Sequence, residues 1–244
     1  MSILSLRLLL VPPGSLILLI NRRGLKKRTV KHSIDFHSAE IDPKVAYRDI
    51  DPGEQLEYSF VANVPGVYIY HCGTAPVLHH IGMGMYGAIV VDPAEGENEL
   101  PPADVSYVLV QSEWYTQQFR ENLLTGDFDK MVSVAPDVVA FNGIAFQYRD
   151  YSLEARVGQR VRIYFVDAGP NLNSAFHVIG EIFTDVYPGG DFSQATSGVS
   201  TYTVASGQGV IFDLVFDEPG EYVIVDHSMR SAYLGAYGLI KVSL

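Results

Sequence analysis

The sequence predicts an all-β protein made of two tandem sandwiches, and three observations carry that expectation. Turn signals recur at short spacing: Pro12-Pro13-Gly14, Asp51-Pro52-Gly53, Val64-Pro65-Gly66, Asn142-Gly143, Pro188-Gly189-Gly190 and Pro219-Gly220. Between them lie short runs rich in Val, Ile, Tyr and Phe, the pattern of strands in a sandwich. The second half of the chain repeats the first, as a duplicated unit does. Helical periodicity is scarce, with short helices expected only within residues 114–124 and 228–234.

The elements can be justified in order. Residues 3–20 form the most apolar stretch, but Arg7 and Pro12-Pro13-Gly14 interrupt it, so it reads as two strands and a turn rather than a membrane span. It also lacks the small-residue cleavage site of a signal peptide. Residues 53–72, GEQLEYSFVANVPGVYIYHC, give an alternating strand, a Pro-Gly turn and a second strand with Tyr two places after the Gly. Residues 207–226, GQGVIFDLVFDEPGEYVIVD, repeat that order. The endings match as well: GMYGAI at 84–89 against GAYGLI at 235–240. The acidic, Pro-bounded segment PAEGENELPP, residues 93–102, reads as a linker. The expected division is residues 1–94, a linker over 95–103, and residues 104–244. Gly14 corresponds to Gly158, so the first copy is expected to lack one or two opening strands that the second copy has.

Composition bounds the function. Of 244 residues, 48% are hydrophobic and 18% charged, enough apolar matter for a packed core. The net charge of −11 argues against nucleic acid as a partner. A single cysteine, Cys72, excludes an intrachain disulfide. Five of the seven histidines fall between His32 and His80, beside that cysteine.

The two copies differ where it matters chemically. Cys72 aligns with Asp226 and Met85 with Ala236, so the sulfur atoms occur in one copy only. Cys72, His80 and Met85 form C-x7-H-x4-M, and His32 is the candidate for a further imidazole. Thiolate, two imidazoles and a weak thioether make a blue-copper set, since soft sulfur stabilises Cu(I) and imidazole suits both oxidation states. His79 competes with His80, and Met83 with Met85. The repeat favours Met85, which stands directly before the Tyr-Gly opening the last strand; His79 then reads as a rim histidine and Met83 as packing.

Strand parity adds a second centre. Side chains alternate across a strand, so if His32 and Cys72 point inward, Asp35, His37 and His71 share the outer side. Two imidazoles beside an acid make half a metal site. The third imidazole must come from His177 or His227, which lie outside the cluster.

HSIDFH (32–37), YHCGTAPVLHHIGMGMYG (70–87), GPNLNSAFHVIGEIF (169–183) and VDHS (225–228) resemble the copper-containing nitrite reductases, most of all the outer-membrane type of Neisseria. The similarity covers nearly the whole chain apart from the opening strands. It implies two tandem Greek-key cupredoxin domains and two coppers per subunit. Type 1 copper would be held by His32, Cys72, His80 and Met85. Type 2 copper would be held by His37, His71 and His227 from a neighbouring subunit of a homotrimer. Asp35 and His177 match the active-site acid and histidine, and Ile179 the apolar residue crowding the substrate. The implied activity is an oxidoreductase reaction of denitrification, nitrite to nitric oxide, with electrons from a small cytochrome c or cupredoxin. A periplasmic or other extracytoplasmic location is implied too.

Two other readings remain. A multicopper oxidase needs paired H-x-H motifs and about ten histidines; this chain has seven, and Gly73 rather than histidine follows Cys72. A non-catalytic cupredoxin carrier would leave Asp35, His37, His71, His177 and His227 without a role.

Overall fold

The computed structural model describes residues 5–11, 15–21, 30–93, 99–189 and 192–244. The turn Pro12-Pro13-Gly14, Gly190 and linker residues 94–98 lie outside the described residues. The first half contains strands β1 (Ser5–Val11), β2 (Ser15–Asn21), β3 (Asp35–Phe36), β4 (Gln55–Val61), β5 (Gly66–His71) and β6 (Tyr86–Val91), with helices α1 (Pro43–Ala46) and α2 (Val77–Gly82). Its sheets run β1-β2-β4 and β3-β5-β6, with antiparallel neighbours throughout. The apolar stretch near the start is therefore a strand pair. β4 alternates exposed and buried residues without a break, and Leu56, Tyr58 and Phe60 enter a core with Ile34, Phe36 and Ile50.

The second half contains β7 (Val105–Trp114), β8 (Thr116–Arg120), β9 (Leu123–Gly126), β10 (Val138–Phe141), β11 (Leu153–Arg156), β12 (Arg160–Asp167), β13 (Ser174–Ile179), β14 (Asp185–Tyr187), β15 (Thr201–Val204), β16 (Gly209–Val215), β17 (Gly220–Asp226) and β18 (Tyr237–Ser243). Its helices are α3 (Phe128–Val132), α4 (Gln147–Asp150) and α5 (Met229–Tyr233). The strands form two five-stranded sheets, ordered β10-β7-β12-β16-β14 and β11-β18-β17-β13-β15, whose crossed order is that of Greek keys. Phe141, Phe165, Phe176, Phe183 and Phe212 fill the space between them.

The helix expected within 228–234 is α5. The one expected within 114–124 is not there: β8 and β9 form an antiparallel hairpin, Thr116 opposite Gly126. Thr and Gln at 116–118 can serve an exposed hairpin, and the Asp137 carboxylate accepts the Thr116 N–H at 2.6 Å to start it. The ladder outweighed a weak helical pattern.

The repeat has a physical basis in its turns. The Tyr68 hydroxyl donates to the Val64 carbonyl at 3.0 Å, and the Tyr222 hydroxyl to the Glu218 carbonyl at 2.9 Å. Each tyrosine, two places after its Pro-Gly, pins the same turn. The two halves pack together through Val67 and Ile69 of β5 against Val110, Val166 and Ile211. At Gly209 the approach is so close that a Cβ would collide with the Val67 carbonyl.

Candidate metal centres

The inner centre is built where β5 ends. Cys72 follows the last residue of that strand, and α2 returns His80 to it. His32 joins through a two-way backbone bridge with Ile50, at 3.2 and 2.8 Å. All three side chains belong to buried residues. His32 Nδ1 lies 3.2 Å from His80 Nδ1, Cys72 Sγ lies 3.1 Å from His80 Nδ1, and Sγ lies 3.7 Å from His32 Nδ1. A triangle with those sides has its centre about 1.9 Å from each atom, close to metal–imidazole bond lengths of about 2.0 Å. Burial, aided by the charge of His79, holds the His80 pKa below its ordinary value, which keeps the ring lone pair available. The set is one thiolate and two imidazoles, and a copper ion fits it.

Met85 is tied between two of these residues. The Cys72 N–H donates to the Met85 carbonyl at 3.0 Å, and the Met85 N–H to the His80 carbonyl at 3.1 Å. Ser33 accepts the Gly73 N–H at 3.1 Å, and the Thr74 hydroxyl donates to Asp49 at 2.7 Å, fixing the chain after the cysteine. His79 is half-buried with its ring 6.1 Å from that of Phe128. Met83 is exposed but lies over Gly126, where a Cβ would collide with its sulfur.

The outer centre lies across the same strand. Asp35 pairs with His71 in the β3–β5 ladder, and the next backbone bond, His37 N–H to Ile69 O at 3.1 Å, continues it. Asp35, His37 and His71 bring their ligand atoms within 4.8 Å of one another, with His37 Nε2 3.0 Å from His71 Nε2. The Nδ1–H of His71 donates to the Cys72 carbonyl at 3.1 Å, which leaves Nε2 as the free lone pair. Burial and then the neighbouring His71 hold the His37 pKa below its ordinary value; Asp35 and a hydrogen bond to the Gly207 backbone pull the other way. Two imidazoles with an acid alongside fit a divalent ion and leave coordination positions for others.

His177, Ile179 and His227 form a third group, on the second sandwich. The rings of His177 and His227 are 5.5 Å apart, and the His177 Nδ1–H donates to the Ser200 carbonyl. His227 and Ile179 are exposed. Among the described residues of one chain, neither metal-ligating cluster includes His177 or His227.

Sequence reasoning missed how the second sandwich supports the inner centre. A Cβ on Gly84 would lie 2.9 Å from the Trp114 ring, and one on Gly82 would lie 2.8 Å from Met131 Cε. The small residues in HHIGMGMYG were the available signal, since glycine marks close approach. The Gly207 contact with His37 gave no such sign.

A thiolate-imidazole centre and an acid-imidazole centre on tandem sandwiches define a two-domain copper protein of the cupredoxin class. Residues 39–95 match the family model described as multicopper oxidase. Over 219 residues the chain is 42% identical to the copper-containing nitrite reductase of Neisseria meningitidis serogroup B, covering 88% of this chain and 55% of that one. The solved copper nitrite reductase of Nitrosomonas europaea superposes with a TM-score of 0.85 at 38% identity, covering 94% of this chain and 80% of that one. The Cu-containing nitrite reductase of Thermus scotoductus SA-01 gives 0.78 at 30% identity, covering 88% and 50%. A multicopper oxidase structure gives 0.80 at 27% identity, covering 94% and 75%. This chain belongs to the copper-containing nitrite reductases. It spans about half the length of the curated relatives it matches.

Proposed function

We propose that this chain reduces nitrite to nitric oxide, NO₂⁻ + e⁻ + 2H⁺ → NO + H₂O, as a homotrimer with two coppers per subunit. One observation carries the reading: the buried His32-Cys72-His80 cluster and the outer Asp35-His37-His71 cluster meet at a single peptide bond, His71-Cys72. The hydrogen bond from the His71 ring to the Cys72 carbonyl adds a second link at the same place. An electron entering at the inner centre thus has a short covalent route to the outer one.

In this reading His32, Cys72 and His80, with Met85, hold type 1 copper. His37 and His71, with His227 of the partner subunit, hold type 2 copper. Copper held there would supply Lewis acidity and one-electron redox chemistry. Asp35 presents its carboxyl group beside the substrate position, on the strand face that carries His37, as a site for proton transfer. His177 is fixed by the Ser200 carbonyl, which leaves its other ring nitrogen free to take up a proton and pass it to the departing oxygen. Ile179 projects from the same face of β13 as His177 and crowds the pocket.

The strand registers support assembly in trans. Asp35 pairs with His71 in the first sandwich, and His177 with Val225 in the second. Cys72 and Asp226, the next residues along, also correspond in the repeat. Asp35 and His177 therefore occupy equivalent positions, as do His37 and Ile179. Two equivalent outer faces, one rich in ligands and one carrying His177 and His227, complete each other when they come from different subunits. The division into residues 1–94 and 104–244 about a linker at 95–103 belongs to the same proposal. So do an extracytoplasmic location and a small cytochrome c or cupredoxin as electron donor.

The match of residues 39–95 to the multicopper oxidase model favours a second reading, reduction of oxygen at a trinuclear cluster. Seven histidines and the absence of any H-x-H motif weigh against it. Copper content and product decide. About two coppers per subunit and nitric oxide from nitrite support the proposal; four coppers with oxygen consumption would replace it with the oxidase, and one copper with no turnover by a carrier.

A further inference from the structure

The second sandwich keeps the frame of the inner copper centre with every ligand exchanged. The backbone bonds establish the correspondence. Cys72 N–H donates to Met85 O at 3.0 Å, and Asp226 N–H to Ala236 O at 3.2 Å. Met85 N–H donates to His80 O at 3.1 Å, and Ala236 N–H to Ser231 O at 3.0 Å. Three residues before Asp35 stands His32; three before its register equivalent His177 stands Ser174. So His32, Cys72, His80 and Met85 are represented by Ser174, Asp226, Ser231 and Ala236, at 0%, 0%, 1% and 0% exposure.

Asp226 sits where the thiolate would be, and its carboxylate is fully committed. Oδ1 accepts the Ala175 N–H at 3.0 Å and the Ser228 N–H at 2.9 Å, while Oδ2 accepts from Gln111 Nε2 at 2.9 Å. Gln111 in turn accepts from the Ser174 hydroxyl at 2.8 Å. The bond to Ser228 closes a turn of which His227 is the central residue, and the His227 N–H donates to Ala175 O at 2.7 Å. In the first sandwich a copper ligand anchors the residue beside His71. In the second, a hydrogen-bonded carboxylate anchors the residue beside His227.

We propose that Asp226 is a positioning residue for the type 2 centre: it occupies the position equivalent to the thiolate and holds His227 in the orientation that reaches a neighbouring subunit's copper. The inference rests on His227 being a type 2 ligand. Because Asp226 acts through hydrogen bonds to backbone N–H groups, asparagine should substitute for it and alanine should not. In Asp226→Asn the remaining side-chain oxygen keeps the Ala175 and Ser228 donors, and Gln111 can turn its amide to match the new nitrogen.

The test uses the copper-loaded full chain, dialysed against graded chelator, with type 2 copper followed by electron paramagnetic resonance and type 1 copper by visible absorption. Asp226→Ala should weaken type 2 retention about tenfold or more, the usual scale for losing a group that orients a ligand. Asp226→Asn should stay within about threefold, and the type 1 colour should persist in both. In a His227→Ala background, Asp226→Ala should add nothing, because a positioning residue acts only through the ligand. If Asp226→Ala does not fold, Ser228→Pro serves instead: φ at Ser228 is −68°, which proline adopts, and the N–H donated to Asp226 is removed along with the Ser228 hydroxyl. Wild-type retention in the folded variant overturns the proposal, as does a further loss in the His227→Ala background. If His227→Ala itself leaves type 2 retention unchanged, the ligand assignment fails first and the two failures are told apart.

Discussion

Assembly in trans can be tested by mixing two crippled variants. One carries His227→Ala. The other carries both His37→Ala and His71→Ala. Each alone should lose type 2 copper and nitrite turnover, while the buried His32-Cys72-His80 cluster keeps the type 1 colour. Within one chain, His227 stands apart from the His37-His71 pair. In the proposed trimer, a head-to-tail ring would make each site from the His37-His71 pair of one subunit and His227 of the partner subunit. In a closed ring of three, every mixed trimer contains one junction at which an intact pair faces an intact His227. Equal mixing makes about three quarters of the trimers mixed, so about one quarter of the wild-type sites should return. The assay is denaturation and joint refolding with copper, followed by type 2 resonance intensity and nitric oxide production. Tags of different mass verify that mixed trimers form. Recovery near zero in demonstrably mixed trimers would refute completion in trans.

Other expectations follow from the same geometry. Cys72→Ala should abolish the intense visible absorption and donor-driven turnover while type 2 copper remains; an unchanged spectrum would remove Cys72 from the type 1 site. Asp35→Asn and His177→Ala should each lower nitrite turnover by about two orders of magnitude, the scale for a positioned proton donor, with both coppers retained; steady-state kinetics and copper analysis check this. Gly209→Ala places a Cβ against the Val67 carbonyl and should destabilise by about 1–3 kcal/mol, read from a denaturant midpoint. Asp167 is buried with Oδ2 unpartnered, and burial pushes its pKa well above the ordinary carboxylate range. Its folded pKa is the higher one, so ionisation favours unfolding as pH rises above the unfolded value. Asp167→Asn should thus stabilise the protein at neutral pH by about 1–3 kcal/mol, with the gain vanishing at pH below the unfolded carboxylate value. Equal effects in both pH ranges, measured by urea unfolding, would contradict that account.

The tandem sandwiches were legible in the sequence because turns and alternation are local properties. A Pro-Gly followed two places later by Tyr encodes a pinned turn, and the same signal appears twice. The inner cluster was legible for a similar reason: Cys72 stands just after one strand and His80 in the helix that follows, and the repeat fixes their register. Parity alone separated His32 and Cys72 from Asp35, His37 and His71, since a strand must send neighbours to opposite faces. The hairpin over 116–126 was not legible, because its pairing depends on Asp137 and on neighbours distant in sequence. Nor was the support that the second sandwich gives: Trp114 over Gly84, Met131 over Gly82 and the Gly207 backbone beside His37 exist only once the two halves dock. The sequence showed Asp226 in the place of Cys72. Only the tertiary structure showed Ser174 linked to it through Gln111 and three donors converging on its carboxylate, because hydrogen bonds between strands far apart in the chain have no periodicity to read.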